Sequence, residues 1–312
     1  MKNWLIKNIN PSGKNLILPF YHAVSDEKCP HISNLYPVKK IQEFERELDF
    51  FQKNYEAINL DKLLNYVQNK TRPEKKSFFL SFDDGLKECY TVIAPILKER
   101  EIPAAFFINT GFVNNQDLFY RYKVSLLIEA LKSSNSSERI STNDLLKLTI
   151  HDTPKIDEIA KKLNVNFQGF LEDEKPYMNW KEIKELSEQG FYIGAHSINH
   201  PYYYQISLEE QVRQTKESIE TVTHHLNPNY RIFSFPFTDY LVTKSFYNRV
   251  YTEGICDLTF GTAGIKDDEL NNNLQRISME KCTINPATYI GKELFQYRLK
   301  KSINKNRVIH PE

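Results

Sequence analysis

An α/β fold with a mainly parallel sheet, closed or partly closed into a barrel, is what this chain predicts. Two observations carry it. Short apolar runs of β character alternate with amphipathic runs of helical period along most of the chain, which is the pattern of strands wrapped by helices. A chain of 312 residues, 40% of them hydrophobic, can also bury one large core.

The elements follow in order. "NLILPFYH" (Asn15 to His22) reads as a strand, and "IQEFERELDFFQKNY" sets Ile41, Phe44, Leu48 and Phe51 at helical spacing. Ser77 to Phe82 is a second strand, Leu86 to Arg100 a helix and Ala104 to Asn109 a third strand. Between Asn114 and Pro176 the strand signal disappears. "YKVSLLIEALKSS", "STNDLLKLTI" and "KIDEIAKKLNV" there read as three helices joined by polar links, one of them the tract Lys132 to Glu138. We expect one domain over 1–312 with a helical insertion at about 114–176, either packing over a barrel face or acting as a lid.

The strand and helix series then resumes. Asn179, with Glu182 three residues on, caps a helix from Trp180 to Gln189, and "GFYIGAHS" is a strand ending at Ala195 or His196. Ser207 to Glu210 forms a capping box for a helix reaching Leu226. "RIFSFPF" is a strand from Arg231, and a helix at Thr243 to Glu253, a strand at Ile255 to Phe260 and a helix from Pro286 to about Ile303 complete about seven units.

Composition narrows the partners. With 41 basic and 40 acidic residues, no global field directs the chain to nucleic acid. The cysteines, Cys29, Cys89, Cys256 and Cys282, lie far apart without CxxC spacing, as expected of reduced thiols in a cytosolic protein. The only apolar block near the start, Trp4 to Ile6, is too short for a signal peptide. No run approaches the roughly 18 apolar residues of a membrane span. These features predict a cytoplasmic protein.

The chemistry centres on "SFDDG". Asp83 and Asp84 stand side by side where a strand ends, and two ionised neighbours repel unless a cation joins them or one keeps its proton. "GAHSINHPYYY" supplies the means, with His196 and His200 four apart just past another strand. Asp84, His196 and His200 make a two-histidine, one-carboxylate set of the kind that holds hydrolytic zinc with a position open to water. Asp83 is left to take a proton from that water.

"SFDDG" and "HSINH" resemble the first two motifs of the polysaccharide deacetylases, the NodB-like carbohydrate esterases, over Leu16 to about Asn109 and Trp180 to about Ile277. The resemblance implies a distorted (β/α)7 barrel that hydrolyses the acetamide of an N-acetylated amino sugar, releasing acetate. It makes Asp83 the general base and Asp84, His196 and His200 the ligands of a divalent ion, most readily Zn2+, with Co2+, Ni2+ or Mn2+ as alternatives. "FSFPF" resembles the third motif. It places the Phe237 backbone N–H at the oxyanion and its ring in the sugar groove, yet Ser234 stands where many members carry an arginine that steadies the base. Asp83 must therefore be oriented in some other way.

No leucine-histidine signature late in the chain supplies an acid for the leaving amine. His22, at the end of the first strand, is the candidate; His224 and His225 read as surface or cap residues and His310 as part of a poorly ordered terminus. Tyr202, Phe235 and Asp239 are candidate substrate-binding residues, and of Tyr202, Tyr203 and Tyr204 at least one should be core. Arg121 and Arg276 could meet an anionic group, but read as surface or salt-bridged residues. "YRLKKSINKNR" is a basic amphipathic end able to touch the inner membrane face, though a solvated helix tail is its simpler reading.

The expected partner is an N-acetylated glycan or a lipid- or nucleotide-linked sugar, met during assembly inside the cell. Two alternatives stand beside deacetylation: hydrolysis of a non-sugar amide, and a degenerate protein that binds glycan without cleaving it.

Overall fold

A computed structural model describes residues 14–133 and 140–312. The apolar block Trp4 to Ile6, and the polar link beyond Ser133, lie outside the described residues.

Eight short segments form one parallel sheet: β1 (Pro19–Tyr21), β2 (Leu80–Phe82), β3 (Ala104–Ile108), β4 (Tyr192–Ala195), β5 (Ile232–Ser234), β6 (Leu258–Gly261), β7 (Asn273–Gln275) and β8 (Ile277–Ser278). Their order is β7-β6-β5-β4-β3-β2-β1-β8. β7 and β8 are one stretch of chain broken at Arg276. Leu274 pairs with Phe260 of β6, while Ile277 pairs with Pro19 of β1. The backbone bonds change sides at the break, Arg276 N–H donating to Gly261 O at 3.1 Å and Ile277 N–H to Leu18 O at 2.9 Å. One bent stretch thus joins both edges of the sheet and brings it to a nearly closed seven-stranded barrel.

Helices α1 (Ile41–Asn54) and α2 (Leu60–Gln68) connect β1 to β2, and α3 (Ala94–Glu99) leads to β3. The expected helix from Leu86 winds as a π-turn over Cys89–Ile93 before α3 begins. Pro95 has no N–H to give to an i−4 carbonyl, so the regular ladder is interrupted there. After β3 come the insertion helices α4 (Tyr120–Ser133), α5 (Thr142–Leu146), α6 (Thr153–Lys162) and α7 (Phe167–Glu174). The fourth went unread in the sequence because Gly169 interrupts its short pattern. The barrel resumes with α8 (Trp180–Glu188), α9 (Leu208–Leu226), α10 (Lys244–Thr252) and α11 (Pro286–Ser302). Asn179 and Ser207 accept from Glu182 N–H and Glu210 N–H as their capping patterns predicted.

Two cores matter for the site. The barrel core runs through Tyr21, Phe82, Phe106, Ile193 and Phe233. A second core gathers Leu127, Leu145, Ile156 and Leu171 of the insertion with Ala23, Ile32 and Leu86 from the ends of β1 and β2. The insertion therefore packs on the strand ends where the carboxylates emerge, and this positions Phe119 and Tyr122 beside them. No described helix is long and apolar enough to cross a membrane.

Two expectations need correction here. The sequence reading ended the strand series at Phe260, but β7 and β8 follow it. Their run "NLQRIS" is polar because Asn273, Gln275 and Arg276 turn into buried hydrogen-bond networks, so no apolar alternation marks it. His310 was expected to be poorly ordered; it is 2% exposed, with Nε2 3.1 Å from Asp268.

Candidate active site

The site is built at the C-terminal ends of β1, β2, β4, β5 and β8. β2 delivers Asp83, whose N–H donates to Tyr21 O at 2.9 Å, and the chain then turns sharply, with Asp84 at φ 72° and Gly85 at φ 68°. A Cβ on Gly85 would stand 3.1 Å from the Ile108 side chain, so the turn needs glycine both for conformation and for space. Ser197 (φ 69°), His200 (φ 59°) and Phe237 (φ 57°) are left-handed as well. Backbone conformations costly for side-chain-bearing residues thus gather around one point.

Asp84, His196 and His200 converge there. Asp84 Oδ1 lies 3.2 Å from His200 Nε2 and 3.5 Å from His196 Nε2, and all three residues are buried. His196 Nδ1 sits 2.8 Å from the Ser234 carbonyl, which can only accept. Nδ1 therefore carries the proton, and the Nε2 lone pair is free to bind an ion. Tyr122 O–H donates to Asp84 Oδ2 at 2.6 Å, holding the carboxylate by its other oxygen. Asp84 Oδ1 is buried with no hydrogen-bond partner among the described residues. A buried oxygen left unpaired beside two imidazole nitrogens is costly for the chain alone and fits a divalent cation.

The protonation states agree with that fit. Burial pushes the His196 pKa down to about 4, keeping the ring neutral. Burial favours a protonated Asp84, but His200, His22 and His196 outweigh it and hold the carboxyl well below the usual range.

Asp83 is held differently. Of the sequence readings for Arg276, it takes the salt-bridged one rather than the surface or the substrate-facing one. It is 0% exposed at the bend between β7 and β8, and grips Asp83 through Nη1 to Oδ1 and Nη2 to Oδ2, both 2.7 Å. Its Nη1 also donates to Ser81 Oγ at 3.0 Å and its Nη2 to Ser234 Oγ at 2.5 Å, while the Phe20 ring lies 4.3 Å from the guanidinium carbon. The fork-to-fork geometry fixes the plane of the carboxylate. Burial works against ionised Asp83, but Arg276, then His196, keep its pKa below the usual value. Ser234 leaves room for the guanidinium to arrive from another strand.

His22, from the end of β1, faces the same cleft. Its backbone N–H donates to Glu280 Oε1 at 2.6 Å and its Nδ1 lies 3.1 Å from the same oxygen, leaving Nε2 without a protein partner among the described residues. Ser278 Oγ–H holds the other oxygen of Glu280 at 2.7 Å. Burial lowers the His22 pKa, but Glu280, with Asp84 and Asp83 beyond it, outweighs burial and raises it to about 9.

A cleft of about 650 Å³ opens over these groups, walled by Tyr36, Phe119, Tyr202 and Phe237. The Phe237 ring stacks on Tyr202 with centroids 3.7 Å apart and planes 8° off parallel. The Phe237 N–H has no hydrogen-bond partner among the described residues. Tyr203 is the core member of the tyrosine run, while Tyr204 is 41% exposed. His224 and His225 are exposed at the end of α9.

Two candidates are placed away from the cleft opening. Phe235 is fully buried, its ring packed among Tyr203, Phe246 and Tyr247, so it borders only the cleft floor. Asp239 does not line the cleft; it is 1% exposed and accepts from Asn273 Nδ2 at 2.8 Å and Gln275 Nε2 at 2.5 Å. With Asp268 and His310 it ties the C-terminal segment to the loop after β5. Sequence reasoning missed Glu280 and Tyr122 altogether. The signal available for Glu280 was the "SMEK" run after a polar strand; for Tyr122 there was none.

The family profile described as polysaccharide deacetylase matches residues 70–137 and 142–250, more than half of the chain. A Streptococcus pyogenes deacetylase solved in complex with acetate is 18% identical, with 88% of this chain and 96% of that one aligned at a TM-score of 0.59. IcaB from Ammonifex degensii is 16% identical over 89% and 96% of the two chains, TM-score 0.56. A de-N-acetylase from Aggregatibacter actinomycetemcomitans is 14% identical over 88% and 98%, also at 0.56. At these identities the likeness is one of fold. No curated protein sequence matches the chain.

Proposed function

Since this chain belongs to the polysaccharide deacetylase family, we propose that it hydrolyses the N-acetyl group of an amino sugar in a glycan or glycan precursor, in a metal-dependent reaction. One observation carries the reading: three ligand atoms converge on a point beside a carboxylate that a buried arginine keeps ionised.

Asp84, His196 and His200 would hold the ion, which we take to be zinc, with cobalt, nickel or manganese able to fit the same nitrogen and oxygen donors. When bound, such an ion supplies Lewis acidity toward water and the acetyl carbonyl. The chain's own groups do the rest. Asp83 accepts the proton of the attacking water on a carboxylate oxygen, and Arg276 fixes that carboxylate in plane and charge. The unpaired Phe237 N–H is the donor for the developing oxyanion. His22, protonated with Glu280 behind its Nδ1, gives its Nε2 proton to the leaving amine. Tyr202, Phe237 and Tyr36 offer flat faces to sugar rings and keep water out.

Ser234 in place of the third-motif arginine, with no late histidine, motivates the alternative of a degenerate glycan-binding protein. Arg276 supplies that guanidinium from the closing strand, which supports a working site instead.

The test is acetate release from a panel of N-acetylated oligosaccharides and of nucleotide- and lipid-linked amino sugars, with zinc or cobalt added. Asp83→Asn should bind metal as the native protein does and lose release by about 100-fold or more. No release from any member by protein with stoichiometric metal would sink the deacetylase reading.

A further inference from the structure

Resting on that reading of the cleft, we propose that the substrate carries a phosphate or carboxylate group close to the amino sugar, recognised by Arg121 and Lys281. The distribution of charge in the cleft carries the argument. Three carboxylates line it, and none is left for a substrate cation. Asp83 is gripped by Arg276 and Glu280 by His22 and Ser278, while Asp84 accepts from Tyr122 on one oxygen and turns the other to the ion of the proposed site.

Two further cations line the same cleft, Arg121 at the start of α4 and Lys281 just past β8. No described carboxylate comes within ion-pair distance of either.

Arg121 is half-buried and partly anchored, its Nη1 donating to the Leu146 carbonyl at 2.5 Å. That bond uses one of the five N–H donors of a guanidinium and leaves the others without a protein acceptor among the described residues. Lys281 is exposed at the rim. They come from the insertion and from the barrel closure, so the charge is contributed by both sides of the chain's architecture. A neutral sugar stacked on Tyr202 and Phe237 would leave the half-buried Arg121 without a counter-charge, where its field is less screened than in open water. A phosphate or carboxylate in the cleft satisfies the guanidinium fork, and the Lys281 ammonium adds its charge from the rim.

The experiment separates recognition from turnover. Calorimetric titration of the full, zinc-loaded chain uses methanesulfonamide analogues of glucosamine and of glucosamine 1-phosphate, neither of which can be hydrolysed. The phosphorylated analogue is expected to bind about tenfold tighter, with a preference that shrinks as salt is raised. Arg121→Gln combined with Lys281→Gln should reduce the preference to about twofold or less, and Arg121→Lys should keep part of it. Equal affinity for the two analogues overturns the proposal, and a preference that survives the double substitution overturns its assignment to these side chains. Titrations with nucleoside diphosphate, short polyprenyl diphosphate and uronate-bearing forms of the sugar then rank the source of the charge. If the preference holds while acetate release fails on every sugar, the deacetylase reading falls and the anion site stands.

Discussion

Replacing Arg276 with methionine tests whether the closing strand sets the charge of the base. The substitution keeps a long apolar stem near Phe20 but removes two 2.7 Å bonds to Asp83 and the bonds to Ser81 and Ser234. Both partners are buried, at 0% and 2% side-chain exposure. Removing one member of a buried, hydrogen-bonded pair costs about 3 to 5 kcal/mol, because the other is left without compensation. At about 2 °C per kcal/mol for a chain of this size, the Tm should fall by roughly 6 to 10 °C. The pH dependence changes with it. Native Asp83 titrates below the usual value, so its pairing stabilises the fold above the unfolded carboxylate range and is lost as pH falls. Without Arg276, burial dominates and the pKa rises, so the acid limb of kcat/KM for acetate release should move upward. Thermal unfolding and a pH–rate profile read both effects. Asp83→Asn in the same chain should recover part of the lost stability, since a neutral amide has less need of the arginine. An Arg276→Met protein with native Tm and an unmoved acid limb would refute the reasoning.

Three other outcomes are expected. The alkaline limb of kcat/KM should fall near pH 9, where His22 loses its proton, and Glu280→Gln should move it down toward the ordinary histidine range; an unmoved limb would detach His22 from the leaving-group step. His31 is 4% exposed with neither ring nitrogen bonded, and burial lowers its pKa to about 4. The unfolded chain then binds the extra proton between about pH 6.5 and 4, so stability drops by about 3 kcal/mol through that window; urea unfolding of His31→Phe at both ends should show the drop largely gone. Cobalt titration should give one bound ion with visible d–d absorption in the native protein and in Asp83→Asn, and neither in Asp84→Ala or His200→Ala, where retained tight binding would place the ion elsewhere.

What could be read from the sequence was whatever is local. Asp83, Asp84 and Gly85 sit in one turn, and His196 and His200 within another, so their spacing marked Asp84, His196 and His200 as a candidate ligand set, and the fold brings the three together. Caps at Asn179 and Ser207 were legible for the same reason. Arg276 was not, because its partner is 193 residues away and its strand has no apolar alternation. The serine at 234 announced a gap without saying what fills it. Tyr122 reaches Asp84 only because the insertion packs on the strand ends, and no pattern within α4 reports that contact. Asp239 was misplaced because turn chemistry after the third motif suggests exposure, whereas Asn273 and Gln275 from β7 bury it.

The bent stretch at Arg276 also bears on where this chain can be cut. The family match stops at residue 250, with Asp83, Asp84, His196 and His200 inside it. Arg276 and Glu280 lie beyond. A fragment trimmed to the matched boundary would carry every motif residue and yet leave the cylinder unsealed and Asp83 without its arginine. During synthesis, which runs from the N-terminus, Asp83, Asp84, His196 and His200 all emerge before Arg276. A chain stopped short of that bent stretch would keep the motifs that mark the family while losing the closure of the barrel and the partner of Asp83.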